Sequence, residues 1–127
     1  MPHLTIEYSA NLAGQTDIAV LCRAAHAALM ASGLFEPGAP RVRAVRCDDY
    51  AIADLIAENA FAAMVLRMGP GRSPADRTTL GDRLMAAMAE PLAAVLAGPH
   101  FALSLEIVEI DAAMSWKRNT IHARLRG

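Results

Sequence analysis

The proline that directly follows the first methionine, in the stretch MPHLTIEY, is the residue best suited to chemistry. If Met1 is removed, the nitrogen of Pro2 becomes a secondary amine. An α-amino group has a reference pKa of about 7.7–8.0, and burial or a nearby guanidinium lowers that value. Because a general base works best when its pKa lies near the operating pH, the sequence predicts Pro2 as a proton-transferring base. The structural alternative is that Pro2 simply begins a strand, where its missing N–H costs no ladder hydrogen bond.

Two arginines could bind anions beside such a base. Arg72 directly precedes Ser73, a predicted N-cap, and the free N–H groups of a helix start attract anions. Arg41 begins the second predicted strand, and a guanidinium can bind a carboxylate through two parallel hydrogen bonds. Taken singly, each arginine is explained as a solvated surface charge; together with Pro2, they indicate a base flanked by anion anchors. Weaker candidates are Arg43, Arg46 and Arg67 as anion contacts, and Glu7 and Glu106 as alternative bases.

Several common kinds of site are poorly supported by the sequence. GPGRSP begins like a dinucleotide-binding loop, but Pro74 stands where the third glycine would be, and no P-loop is present. The four histidines show no metal spacing, so each is expected to be an ordinary surface or half-buried residue. Twelve basic residues stand against 13 acidic ones, a balance that argues against nucleic-acid binding.

The expected compartment is the cytoplasm. No secretory signal or membrane-spanning stretch is recognisable, and the apolar runs are too short or too interrupted to cross a bilayer. Cys22 and Cys47 are too few for a disulfide framework, so we expect free thiols in a reducing compartment.

Two successive strand–helix–strand units must position these residues. The apolar patterns predict a single domain with units at about 1–58 and 59–112 and a tail at 113–127. We expect an α/β (α+β) fold with a four-stranded mixed sheet and both helices on one face. We further expect one long second helix kinked at Pro91, and a third strand, 60–68, covered on both faces. Met64 and Leu66 would make the second sheet face apolar, and another subunit would cover it.

Three motifs carry a resemblance to a known family. MPHLTIEYSANL, GRSPADR and SWKRNTIHARL resemble the 5-carboxymethyl-2-hydroxymuconate isomerase family of the tautomerase superfamily. The resemblance runs over essentially the whole chain and implies a duplicated β-α-β fold in a homotrimer. It assigns the base to Pro2 and the substrate-binding arginines to Arg41 and Arg72. Trp116 and Asn119, in or beside the Lys-x-Asn-x-x-His pattern, are weaker site candidates.

The activity that the resemblance implies is the cofactor-free ketonisation of a 2-hydroxymuconate-type dienol. The small-molecule substrate would be a polycarboxylate from bacterial homoprotocatechuate catabolism, and no metal, nucleic acid or membrane would be involved. Two alternatives stay open. A protein of the same fold could use Pro2 to hydrate or dehalogenate an unsaturated acid, or it could be a trimeric binding protein that has lost the base.

Overall fold

The computed structural model describes all residues of the chain, 1–127. The chain has four strands, β1 (His3–Ser9), β2 (Arg41–Cys47), β3 (Ala60–Met68) and β4 (Phe101–Glu109). The α-helices are α1 (Ile18–Ala31), α2 (Pro74–Ala89), α3 (Ala93–Leu96) and α4 (Thr120–Leu125). Short 3-10 helices cover Ala10–Gly14 and Ala112–Met114.

The four strands form one mixed sheet in the order β2-β1-β3-β4. β1 pairs with β2 in parallel and β3 with β4 in parallel, while β1 and β3 run antiparallel at the centre, with Ile6 opposite Met64. β1 and β2 are joined through α1, and β3 and β4 through α2 and the short α3, so the strand–helix–strand unit occurs twice. The predicted fold class is therefore confirmed.

The hydrophobic core lies between one face of the sheet and helices α1 and α2. Its sheet side is formed by alternate residues of the two central strands, and its helix side by one stripe of each helix, as the periodicity predicted. The residues of this core are Leu4, Ile6, Leu12, Leu21, Ala25, Leu29, Ala62, Met64, Leu66, Met68, Leu80, Leu84, Met88 and Leu92. Met64 and Leu66 thus face the helices, and their assignment to the uncovered sheet face was wrong.

The second face of the sheet carries a mixture of apolar and charged residues. Along β3, buried residues alternate with half-buried Phe61, Ala63 and Val65 and with exposed Arg67. Within one chain, therefore, only one face of β3 is fully covered. The strand register sets Val65 beside Thr5 and Glu106. This face is therefore less apolar than expected, because successive side chains of a strand point to opposite faces and the core residues point to the other one.

Helix α2 begins as the sequence predicts but ends earlier. The Ser73 hydroxyl accepts a hydrogen bond from the N–H of Asp76 at 3.0 Å, and Pro74 occupies the first turn. The helix ends at Ala89, and α3 restarts at Ala93, so Pro91 separates two helices and does not kink a single one. Proline lacks the N–H that would bond one turn back, and its ring crowds that carbonyl, which explains the break.

Candidate active site

A cavity of about 540 Å³ opens at the amino-terminal end of β1. Three parts of the fold meet there: the loop before β2, the loop before α2, and the C-terminal segment with α4. The lining residues that matter for the chemistry are Met1, Pro2, Phe35, Arg72, Lys117 and Asn119.

The amino terminus is fixed against the sheet at the cavity wall. Pro2 is buried, and its carbonyl accepts a hydrogen bond of 3.1 Å from the N–H of Arg41 as the β1–β2 pairing begins. While Met1 is attached, the Pro2 nitrogen is an amide and cannot act as a base. The Met1 amino group carries the basic nitrogen at this position.

The surroundings of this amino group favour its neutral form. Burial removes it partly from water, and the positive charges of Lys117, Arg72 and Arg41, with a hydrogen bond to Lys117, oppose its protonation. Together these effects lower the pKa of the Met1 amino group from 8.0 to about 6. An amine held at this place is thus substantially unprotonated at neutral pH.

Arg72 is held rigidly at the cavity wall. Its Nη2 donates to the carbonyl of Leu34 at 2.9 Å, and its Nη1 lies 3.5 Å from the carbonyl of Gly69. The guanidinium carbon also lies 5.0 Å from the centre of the Phe35 ring, within cation–π range. Two carbonyls and one ring therefore orient the guanidinium, and its remaining N–H groups are free to bind an anion. No carboxylate forms an ion pair with Arg72.

Arg41 lies next to the amino terminus but is not among the residues that line the cavity. Its Nη1 donates to the carbonyl of Ala39 at 3.1 Å and lies 3.0 Å from the sulfur of Met1. The side-chain amide nitrogen of Asn119 approaches the same sulfur at 3.4 Å. The Met1 side chain thus occupies the place on which these two donors converge.

Asn119 joins the C-terminal helix to the loop before β2. Its side-chain oxygen accepts hydrogen bonds from the N–H groups of Ile121 and His122 at 2.9 and 3.2 Å, which caps α4. Its side-chain nitrogen donates to the carbonyl of Gly38 at 2.9 Å. The main contacts of Asn119 are thus structural: they hold α4 against the loop before β2 at the cavity wall.

Glu36 provides a second link between the same loop and α4. Both of its carboxylate oxygens accept from Arg126, at 2.7 and 2.6 Å, and the Nδ1 of His122 lies 3.6 Å away. The hydrogen bond from Arg126 lowers the pKa of the Glu36 carboxyl below its usual range. The charge of Arg126 is therefore already balanced within the cavity wall.

The chain matches a family model over nearly its full length, and that model describes 5-carboxymethyl-2-hydroxymuconate isomerase, at residues 2–125. The chain belongs to this family of isomerases. It is 32% identical over 123 residues to the 5-carboxymethyl-2-hydroxymuconate Delta-isomerase of Escherichia coli, an alignment that covers 97% of this chain and 98% of the relative.

Solved structures agree with this family membership. The crystal structure of a 5-carboxymethyl-2-hydroxymuconate isomerase from Deinococcus radiodurans R1 superposes with a TM-score of 0.92 at 39% identity, covering 99% of this chain and 95% of that one. A fused 4-OT trimer matches with a TM-score of 0.68 at 17% identity, covering 98% of each chain, and shows the shared fold. The predicted fold of this isomerase is therefore confirmed.

Sequence reasoning from side-chain chemistry did not single out Lys117 of this isomerase. It lines the cavity beside the amino terminus, and none of the four ion pairs in the chain includes it. The only sequence signal was the Lys-x-Asn-x-x-His pattern, in which Lys117 is the first member. An exposed lysine in a short tail is otherwise indistinguishable from a solvated surface charge.

Other candidate residues of the isomerase lie away from the cavity. Trp116 is 85% exposed and does not line it, and Arg43 lies on the uncovered sheet face, 3.5 Å from the Nδ1 of His3. Arg46 forms an exposed ion pair with Asp48 at 2.8 Å. Arg67, Glu7 and Glu106 also occupy the uncovered face. The structure gives none of them a contact with the amino terminus.

The isomerase contains no group of three or more His, Cys, Asp or Glu side chains arranged to hold a metal ion. Cys22 and Cys47 are not joined by a disulfide. None of its helices combines the length and the apolar character needed to span a membrane.

Proposed function

We propose that this isomerase, once Met1 has been removed, ketonises 5-carboxymethyl-2-hydroxymuconate or a close 2-hydroxymuconate by proton transfer through the nitrogen of Pro2. The neutral amine takes the proton of the dienol hydroxyl, and the electron pair moves along the conjugated system. The protonated amine then returns a proton to a distal carbon. The proton count balances, so the reaction needs no cofactor.

The observation that carries this proposal is the placement of Pro2, which is buried at the wall of a cavity that Arg72, Lys117 and Asn119 also line. With Met1 removed, the amine would be that of Pro2, attached to the same strand beside Lys117, Arg72 and Arg41. The pKa of about 6 that these surroundings impose on the Met1 amino group suits a base that works near neutral pH. The same cations would stabilise the negative charge that develops on the dienolate.

Removal of Met1 would also open the place for substrate. The Met1 sulfur lies 3.0 Å from Nη1 of Arg41 and 3.4 Å from Nδ2 of Asn119. Without the Met1 side chain, both donors can bind a substrate oxygen instead. Arg41 and Arg72, whose charges both act on the amino terminus, are thus proposed to bind two carboxylates of the substrate.

The pathway, the compartment and the oligomeric state are part of the same proposal. We place the reaction in the bacterial catabolism of homoprotocatechuate and in the cytoplasm, where free cysteines are maintained. A homotrimer is proposed because a relative of the same fold forms a trimer and because Phe61, Ala63 and Val65 are left half-exposed on the sheet. Family membership favours the isomerase over a hydratase, a dehalogenase or a non-catalytic trimer.

An ultraviolet assay tests the proposal. Mature protein, with loss of Met1 verified by mass, is mixed with 2-hydroxymuconate and with its 5-carboxymethyl derivative, and decay of the dienol is followed. Pro2→Ala should reduce ketonisation by orders of magnitude, whereas Pro99→Ala, in the exposed turn before β4, should not. Unchanged turnover of Pro2→Ala would exclude Pro2 as the base, and water addition or halide release in place of ketonisation would favour the alternatives.

A further inference from the structure

We propose that Lys117 is a specificity-determining residue that binds the third carboxylate of the substrate, a role that rests on the proposed function. Substrates with a carboxymethyl branch would then be preferred over the unbranched dicarboxylate. The argument depends on which cations around the amino terminus are free and on where each one is attached.

The charges in the cavity wall divide into two groups. Arg126 is neutralised by two short hydrogen bonds to Glu36, and His122 lies beside the same carboxylate. Arg72 and Lys117 line the cavity without an ion-pair partner. The free positive charge of the cavity is therefore concentrated on these two side chains.

Three free cations surround the amino terminus, and each belongs to a different part of the fold. Arg41 begins β2, Arg72 precedes α2, and Lys117 precedes α4, and all three act on the charge of the terminal amine. A 2-hydroxymuconate has two carboxylates, which the two arginines would bind. A 5-carboxymethyl derivative adds a third, and Lys117 is the one remaining free cation in the cavity.

The segment that follows Lys117 is docked on the loop before β2. Asn119, two residues further on, caps α4 and donates to the carbonyl of Gly38 at 2.9 Å. Gly38 packs so closely on α4 that a Cβ there would lie 2.9 Å from Nδ1 of His122. Lys117 therefore belongs to a docked segment, and its ammonium group is a point charge on a flexible stem that can follow a branch of the substrate.

Two variants of Lys117 and one of the adjacent Arg118 distinguish binding of the third carboxylate from a general effect of removing one positive charge. Lys117→Gln removes the charge, Lys117→Arg retains it, and Arg118→Gln removes an adjacent charge that does not line the cavity. Binding of two saturated, unreactive ligands, tricarballylate with three carboxylates and glutarate with two, is measured by calorimetry on each mature protein. The KM values for 5-carboxymethyl-2-hydroxymuconate and 2-hydroxymuconate are measured on the same samples.

We expect Lys117→Gln to weaken tricarballylate binding about tenfold and glutarate binding less than twofold. The KM for the branched substrate should rise about tenfold relative to that for the unbranched one, with little change in their kcat ratio. Lys117→Arg should restore most of the difference, and Arg118→Gln should behave as the parent protein.

The outcomes distinguish the two proposals. If Lys117→Gln weakens both ligands equally, or no more than Arg118→Gln does, Lys117 does not bind the third carboxylate, even if the parent protein ketonises both substrates. Suppose that Lys117→Gln weakens the binding of tricarballylate more than that of glutarate, as expected, while no protein ketonises either dienol. The proposed function then fails, and the role of Lys117 as an anion-binding residue stands. If Lys117→Gln misfolds, Lys117→Met, which keeps the aliphatic stem, replaces it in the same comparison.

Discussion

The side-chain nitrogen of Asn119 donates to the carbonyl of Gly38 at 2.9 Å, a contact between residues 81 positions apart in the chain. This bond joins the last helix to the loop before β2. Because Lys117 and the amino terminus lie in the same cavity wall, the geometry of the site depends on how firmly this segment is docked.

Asn119→Ala should loosen the docking of the C-terminal segment. The variant loses both the cap of α4 and the donor to Gly38, and a lost N-cap costs about 1 kcal/mol. We expect an equivalent decrease in the free energy of unfolding, measured with urea, and a KM raised several-fold. Asn119→Ser keeps an oxygen for the cap and loses the amide donor to Gly38, so it should retain more stability than Asn119→Ala. Equal loss in the two variants would contradict a capping role.

Gly38→Ala should displace α4 from the cavity wall. A Cβ at this position would lie 2.9 Å from Nδ1 and 3.1 Å from the backbone nitrogen of His122, and the backbone atom cannot move aside alone. We expect a raised KM with the sheet intact by circular dichroism. Gly14→Ala is the matched control, because a Cβ there meets no atom within 4 Å. A Gly38→Ala protein with parental KM would show that close packing of this helix is not needed.

The pH dependence of the mature enzyme should reflect the lowered pKa of its terminal amine. The neutral amine is the active form, so kcat/KM should rise with pH and level off above the pKa of the free enzyme. Burial and the charges of Lys117, Arg72 and Arg41 lower the pKa of the Met1 amino group, and we expect the same surroundings to lower the pKa of the Pro2 amine. Raising the ionic strength should shift it upward, because salt screens the cations. An acid limb at or above pH 8 would contradict the proposed electrostatics.

Arg72→Ala should mainly impair substrates that carry carboxylates. The variant loses the anion anchor, and it also loses the hydrogen bond to Leu34 and the stacking on Phe35. We expect kcat/KM for 2-hydroxymuconate to fall at least a hundredfold, while a neutral enol is affected much less. Arg46→Ala, which removes an exposed arginine paired with Asp48, is the control. An equal loss on the neutral enol would refute anion binding by Arg72.

Ser9→Ala should destabilise the fold without changing the chemistry. The buried Ser9 hydroxyl accepts a hydrogen bond from the N–H of Phe61 at 2.9 Å, at the junction of the two central strands. Leaving that donor unpaired costs about 1–3 kcal/mol. We expect a lower urea midpoint and an unchanged KM, because neither residue lines the cavity. A changed KM with an unchanged urea midpoint would contradict this purely structural role of Ser9.

Much of the fold follows from the local order of residues. The alternation of Leu4 and Ile6 with polar neighbours and the stripe of Leu21, Ala25 and Leu29 determine which faces are buried, because side chains repeat every 2 residues in strands and every 3.6 in helices. Caps such as Ser73 depend on neighbours three residues away, so they too can be predicted. The orientation of Met64 was wrong because a continuous apolar run has no visible alternation.

The sequence by itself determined the four strands, the start of α2, the family and the candidate base and arginines, because these depend on residue types at short spacing. Tertiary structure alone decided that Lys117 and Asn119 lie beside residues 1 and 2, across more than a hundred positions of chain. It also decided that Trp116 lies outside the cavity, and that Arg72 is oriented by the carbonyl of Leu34. Such contacts arise from how the loops and the last helix dock onto the sheet, and no local pattern specifies that docking.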